Sequence, residues 1–216
     1  MFKELLRTDI LVKLPQGTDD VLVKQKSGIY VSTLSHKEKY NPTYGEVVEV
    51  SEGAQHAKAG DVVFFGNHLW DVAKRRAFGD EDERYRGHYT ADKVFAVKDG
   101  ADYYMILPEE MIYFLRRGKE LIGMNGIVIA EPIAKEKEQT HSGLIIVDLS
   151  EETYVENKMR VFLAPNTIDV AKGDVVHTLR HCDIAIEEEL NNPILPAKYF
   201  FVEAENIIAK EVWTNS

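Results

Sequence analysis

The chain has 216 residues, a formal net charge of −10 and 44% hydrophobic residues, which suits one large globular domain or two of about 100 residues each. The acidic balance argues against nucleic-acid binding, because neutralising phosphates takes a basic face, and the lone cysteine, Cys182, excludes an intrachain disulfide and suggests a reducing compartment. Acid and base within Met1-Phe2-Lys3-Glu4-Leu5-Leu6 do not suit a signal peptide, and no apolar run approaches the ~20 residues of a membrane span, so a soluble, cytoplasmic protein is expected.

The first element is a short β-branched run, Ile10-Leu11-Val12-Lys13, which reads as a strand and is followed by Pro15. A polar stretch, residues 16–26, leads to Gly28 and the apolar triplet Ile29, Tyr30 and Val31. Val21-Leu22-Val23 lies inside that stretch, so a regular hairpin with residues 28–31 is the competing arrangement. Residues 44–50, Tyr-Gly-Glu-Val-Val-Glu-Val, alternate with period two, as a half-buried strand does. At Gly60-Asp61 a tight turn feeds the apolar strand Val62-Val63-Phe64, since glycine accepts positive φ without steric cost.

A charged and aromatic segment follows, residues 67–89, inside an insertion at about 66–92. Lys74, Arg75 and Arg76 form a basic cluster near Arg84 and Arg86, but Asp80, Glu81, Asp82 and Glu83 interrupt it, so a solvated loop is expected. His68, Trp70 and His88 read as exposed loop residues of that segment. Residues 108–117 are the one stretch with helical signals, with Pro108 at the start and two basic residues at the end. That helix is expected to carry the link into the rest of the chain.

Beyond it the pattern repeats. Gly126-Ile127-Val128-Ile129-Ala130 answers Asp9-Ile10-Leu11-Val12-Lys13, with a proline two residues on in each. His141-Ser142-Gly143-Leu144-Ile145-Ile146 answers Lys26-Ser27-Gly28-Ile29-Tyr30-Val31 at an offset of 115, after a polar tether at 134–141. Lys172-Gly173-Asp174-Val175-Val176-His177 answers Ala59-Gly60-Asp61-Val62-Val63-Phe64 at an offset of 113. The closing segments, 104–112 and 199–207, run parallel as well. Two tandem β-rich domains follow, 1–118 and 119–216, with many short strands and little helix, which implies a partly open β-barrel or sandwich. His177, His181 and Cys182 are the nearest approach to a metal cluster. On a strand the two histidines stand some 13 Å apart at ~3.3 Å per residue, too far for one ion, so no metal is expected.

The ordered blocks resemble the GroES-type co-chaperonin family. Each copy shows an opening strand, a polar loop, a glycine with an apolar triplet, a basic-then-Gly-Asp turn and a closing strand. Copy one also has Gly45-Glu46-Val47, where copy two has residues 159–163. The resemblance covers nearly the whole chain, in a tandem double-domain form, cellular or phage-encoded. It implies an all-β fold of two GroES-like partly open barrels with one short linking helix. It also implies a lid for a GroEL-type chaperonin, contacted through Ile29, Tyr30, Val31, Leu144, Ile145 and Ile146. Burying one such side chain gains about 1.5–3 kcal/mol, against about 1–2 kcal/mol per loop residue ordered. A single loop therefore binds weakly, and a homo-oligomeric ring rescues binding by avidity.

No residue set has a nucleophile context such as Gly-x-Ser-x-Gly, and no Gly-x-Gly-x-x-Gly nucleotide fold accompanies the GroES-like blocks. Neither an enzyme nor a cofactor is expected, and the partners implied are a chaperonin and further copies of the chain. The alternative is a structural or virion assembly protein that reuses the same fold.

Overall fold

The computed structural model of the chain describes residues 5, 7–16, 18, 22–24, 30–32, 41–78, 93–134, 154–179, 183–185 and 199–211. These residues fall into two units that divide between Asn125 and Gly126. The first unit contains β1 (Asp9–Lys13), β2 (Leu22–Lys24), β3 (Tyr30–Ser32), β4 (Tyr44–Val50), β5 (Val62–Phe65) and the helix α1 (His68–Phe78). It continues with β6 (Phe95–Asp99), β7 (Asp102–Pro108), a 3-10 turn at Glu109–Met111, β8 (Ile112–Arg117) and β9 (Glu120–Gly123). Its sheet has the order β6-β7-β1-β4-β5-β8-β9, and β2 and β3 form a separate hairpin. The second unit holds β10 (Ile127–Ala134), β11 (Tyr154–Leu163), β12 (Val175–Thr178), β13 (Asp183–Ala185), β14 (Phe200–Glu203), a 3-10 turn at Ala204–Asn206, and β15 (Ile207–Glu211). Its sheet runs β13-β14-β10-β11-β12-β15.

The repeat extends to the register. The central order β7-β1-β4-β5-β8 reappears as β14-β10-β11-β12-β15, in the same chain order and antiparallel throughout. Where Leu11 faces Glu49 and Val12 faces Val47, Val48 is passed over; where Ile129 faces Leu163 and Ala130 faces Val161, Phe162 is passed over. A second bulge passes over Tyr113 in the first sheet and Ile208 in the second. The Gly-Asp turns also coincide. Gly60 and Gly173 sit at φ 88° and 96°, and each donates its N–H to the strand behind it, Val47 O and Val161 O, at 2.8 Å. A bulge sharpens local twist and is a built feature of a sheet, so two bulges at matching positions mark one architecture used twice.

Alternation along the strands explains the cores. In the first unit Ile10, Val12, Val47, Val63, Met105 and Leu107 are buried together. A smaller cluster, Val128, Ala130, Met159, Val161, Val176 and Val202, fills the second. Gly45 shows how closely the first sheet is drawn in. A Cβ there would strike Val12 Cγ1 and lie 2.6 Å from Lys13 O. The matching position in the second sheet is Met159, opposite Pro132, beside a further register shift between Pro132 and Ala134.

Helix was expected at 108–117 and stands elsewhere. Residues 109–111 make a single 3-10 turn, and Ile112–Arg117 is strand β8, hydrogen-bonded to β5 and β9 on its two sides. Ile112, Phe114 and Leu115 are fully buried in that strand, so tertiary pairing overrides the proline and basic-end signals. The α-helix lies in the segment expected to be a solvated loop. Leu69, Trp70, Val72 and Ala73 line one buried face of α1 at i, i+1, i+3, i+4 spacing. Trp70 is 1% exposed and meets the Tyr103 ring edge-on at 5.6 Å, so it is core and no exposed loop residue. Lys74, Arg75 and Arg76 belong to the same helix, where Arg75 and Arg76 suit the negative end of its dipole. His88, Arg84, Arg86 and the acidic run 80–83 lie outside the described residues.

Polar groups fasten the turn between β7 and β8. Glu109 is 5% exposed, and its carboxylate accepts the backbone N–H groups of Gln55 (2.8 Å), His56 (2.8 Å) and Ala57 (2.5 Å). Its own N–H donates to Thr8 O at 3.0 Å, as Ala204 N–H donates to Gly126 O at 2.7 Å in the second unit. Close by, Arg117 grips Asp61 with two nitrogens, at 3.0 and 2.7 Å, and reaches His56 O at 2.7 Å.

Two substitutions test this account. Glu109→Gln turns one acceptor into a donor facing backbone N–H groups, and should lower the urea-unfolding stability of the first unit by about 2–4 kcal/mol. Glu110→Gln, on the exposed neighbour, should cost less than about 0.5 kcal/mol. Gly45→Ala should cost about 1–3 kcal/mol through overpacking against backbone, read as a lowered urea midpoint at unchanged m-value.

Candidate partner-binding segments

Both polar segments leave their sheets at the same place, between the first and second strands of the repeat. In the first unit residues 14–43 connect β1 to β4, and in the second residues 135–153 connect β10 to β11. The structure pairs Leu22 with Ser32, Val23 with Val31 and Lys24 with Tyr30. Tyr30 and Val31 therefore take part in a hairpin, the competing arrangement for that stretch. Ile29 lies outside the described residues, as do Leu144, Ile145 and Ile146.

The two exits differ in how they are held. At the end of β1, Lys13 Nζ donates to Asp102 Oδ2 at 2.6 Å and sits 5.9 Å from the centre of the Tyr104 ring. The hydrogen bond to Asp102 raises the Lys13 pKa above its ordinary value. Leu14 is buried and donates its N–H to Tyr103 O at 2.9 Å, and the Thr18 hydroxyl donates to Pro15 O at 2.7 Å. At the return, Asn41 and Pro42 are buried, and Thr43 O accepts the Phe65 N–H. In the second unit the exit is the pair Ala134 and Tyr154, both exposed, with Tyr154 at 47%.

One row of side chains, equivalent in the two sheets, has opposite chemistry. Tyr44, Phe64 and Phe114 face one another across β4, β5 and β8, with Phe64 and Phe114 stacked 4.1 Å apart and Tyr44 5.9 Å from Phe64. Burial pushes the Tyr44 pKa up. The matching row of the second sheet is Lys158, His177 and Ala209, with Glu211 beside it. Glu211 Oε1 accepts from Lys158 Nζ at 2.6 Å and meets His177 Nε2 at 3.0 Å.

His177 is thus engaged by a carboxylate, while His181 and Cys182 lie outside the described residues. Among the described residues no three His, Cys, Asp or Glu side chains converge on one point. Also among the described residues, no helix is long and apolar enough to cross a membrane. Sequence patterns did not signal Glu109 or the Lys158–Glu211–His177 group, because each joins residues far apart in the chain. Asp61 and Asp174 were signalled by the repeated Gly-Asp. No protein-family model matches the chain, and no curated protein matches it.

The hydrogen bond from Lys158, and then that from His177, hold the Glu211 carboxyl below its ordinary value of 4.5. A depressed carboxyl contributes stability above its unfolded pKa and loses it as pH falls towards the folded value. The stability gap between wild type and Glu211→Gln, followed by thermal unfolding, should therefore be full at neutral pH and shrink below about pH 4.5. A gap that stays constant down to pH 3 would count against a charged Glu211 in this contact.

Proposed function

We propose that this chain is a co-chaperonin-type lid, a non-enzymatic oligomer that caps a GroEL-type chaperonin through apolar triplets carried on the 14–43 and 135–153 segments. The observation that carries the reading is the repeated centre of the two sheets, each with a long segment connecting its first and second strands. The geometry of the closing turn supports a partly open barrel for each centre. In a flat sheet, four strand steps of about 4.8 Å would set β7 and β8 roughly 19 Å apart. The three residues of the turn Glu109–Met111 advance only about 6 Å as a 3-10 helix. The sheet must curl to bring its flanks to that turn, and the second unit has the same turn at Ala204–Asn206.

In this reading Leu144, Ile145 and Ile146 form the main chaperonin contact, on the segment with the more exposed exit. Ile29, Tyr30 and Val31 are the second contact, and copies of the chain share the cost of ordering the segments by assembling into a ring. A structural or virion assembly role is the second reading. The β2–β3 hairpin favours it for the first unit, because Tyr30 and Val31 already take part in strand pairing there.

Co-sedimentation with a GroEL-type chaperonin separates the two. ATP-dependent binding, lost in Ile145→Asp, is expected for the lid. Absence of binding, with a discrete oligomer persisting in the protein alone, would favour the assembly role.

A further inference from the structure

We infer that Asn125 is a deamidation site whose conversion releases the turn that closes the first sheet. Asn125-Gly126 is the only Asn-Gly pair in the sequence. Glycine at the second position leaves the attacking backbone nitrogen unhindered, since no Cβ stands beside it. Asn125 and Gly126 take φ 50° and 72°, and Asn125 is exposed to the water the reaction consumes.

The leaving group is held. Asn125 Nδ2 donates to Glu109 O and to Ile112 O, each at 2.8 Å. Both acceptors are backbone carbonyls, so the donating nitrogen must be the atom that faces them. Its two hydrogens are committed, and the side chain has to let go before it can react. In the reaction the Gly126 nitrogen bonds to Asn125 Cγ, the Cγ–Nδ2 bond breaks, and ammonia departs with the Gly126 amide proton. Water then opens the cyclic imide at either carbonyl, leaving an aspartyl or isoaspartyl linkage.

The product cannot restore the contact. A carboxylate has no donor and would face two carbonyl oxygens, at the residues that begin the 3-10 turn and β8. Glu109, whose carboxylate holds residues 55–57, sits on that same turn. Each local opening therefore carries a chance of a one-way step that weakens this turn. Asn157 supplies an internal comparison, with φ 56° but Lys158 as the next residue.

The test is to age the intact chain in mildly alkaline buffer, native and in denaturing urea, and to map asparagine conversion by peptide mass spectrometry. Asn125 should convert before Asn157 and every other asparagine, and roughly tenfold or more slowly in the native chain than in urea, because both hydrogen bonds must open first. The aged native species, separated by its extra negative charge, should melt below the unaged chain, as should Asn125→Asp. If that variant does not accumulate as folded protein, the aged fraction alone decides. Earlier conversion at another asparagine, equal rates in buffer and urea, no conversion in the native chain, or an unchanged melting temperature of the aged fraction would each overturn the inference.

Discussion

A three-residue turn sets the terms for each unit. The chain leaves the sheet centre at one flank, on β7 or β14, and must enter the other flank, on β8 or β15, with only Glu109–Met111 or Ala204–Asn206 in between. So short a connection leaves little slack, and the strands between the flanks have to accommodate it. Both sheets carry matched bulges. An extra residue at Val48 and Phe162, and another at Tyr113 and Ile208, bends and twists the two sheets at the same positions. In the first unit the turn is fastened from three directions: by Thr8 through the backbone, by residues 55–57 on the Glu109 carboxylate, and by Asn125. Among the described residues only the backbone bond has its counterpart in the second unit, where Ala204 stands in place of Glu109.

That difference runs through both units. Where the first sheet sets an aromatic row on β4, β5 and β8, the second sets lysine, histidine and alanine beside a glutamate. Where Arg117 grips Asp61 with two nitrogens, the corresponding Asp174 is approached by Lys210 at 3.9 Å, and Lys210 is closer to Asp169 at 3.1 Å. A planar guanidinium holds a carboxylate bidentately, while an ammonium acts as a point charge and is readily shared. The strand plan and the backbone bond to the turn aspartate are shared (Lys58 N–H to Asp61, Ala171 N–H to Asp174, both 2.9 Å), while the side-chain contact is bidentate in the first unit and a charge contact in the second.

The features legible in the sequence were those encoded locally. Period-two alternation located β4, and the β-branched runs before proline located β1 and the first half of β10, which does not end at its proline but runs on through Pro132 to Ala134. The repeated Gly-Asp located two turns in which glycine takes positive φ. The spacing of matched blocks anticipated the repeat, but its opening block was matched one residue out: the register sets Val12 with Ala130, where the sequence match sets it with Ile129. Residues 108–117 were misread because their signals are also local, whereas their structure is decided by β5 and β9 on either side. The helix α1 was missed for a related reason. Its apolar face, Leu69-Trp70 and Val72-Ala73, is interleaved with charges that dominate the composition of the segment. Only the packing of Trp70 against Tyr103 shows which face governs. Of the expected contact residues, Tyr30 and Val31 could be placed, as strand backbone, by the apolar run Val21-Leu22-Val23 that pairs with them in part.

Unequal fastening sets the two units apart. Among the described residues the first unit buries a larger apolar cluster, which includes α1, and carries the buried Glu109 network. The second has the smaller cluster and a more exposed segment exit. Stability is not uniform across a chain built in this way, and recognition elements tend to come from its less stable parts. The two copies therefore differ in how they are fastened: among the described residues the buried Glu109 carboxylate and the bidentate Arg117–Asp61 pair belong to the first unit, and the exposed Ala134–Tyr154 exit to the second.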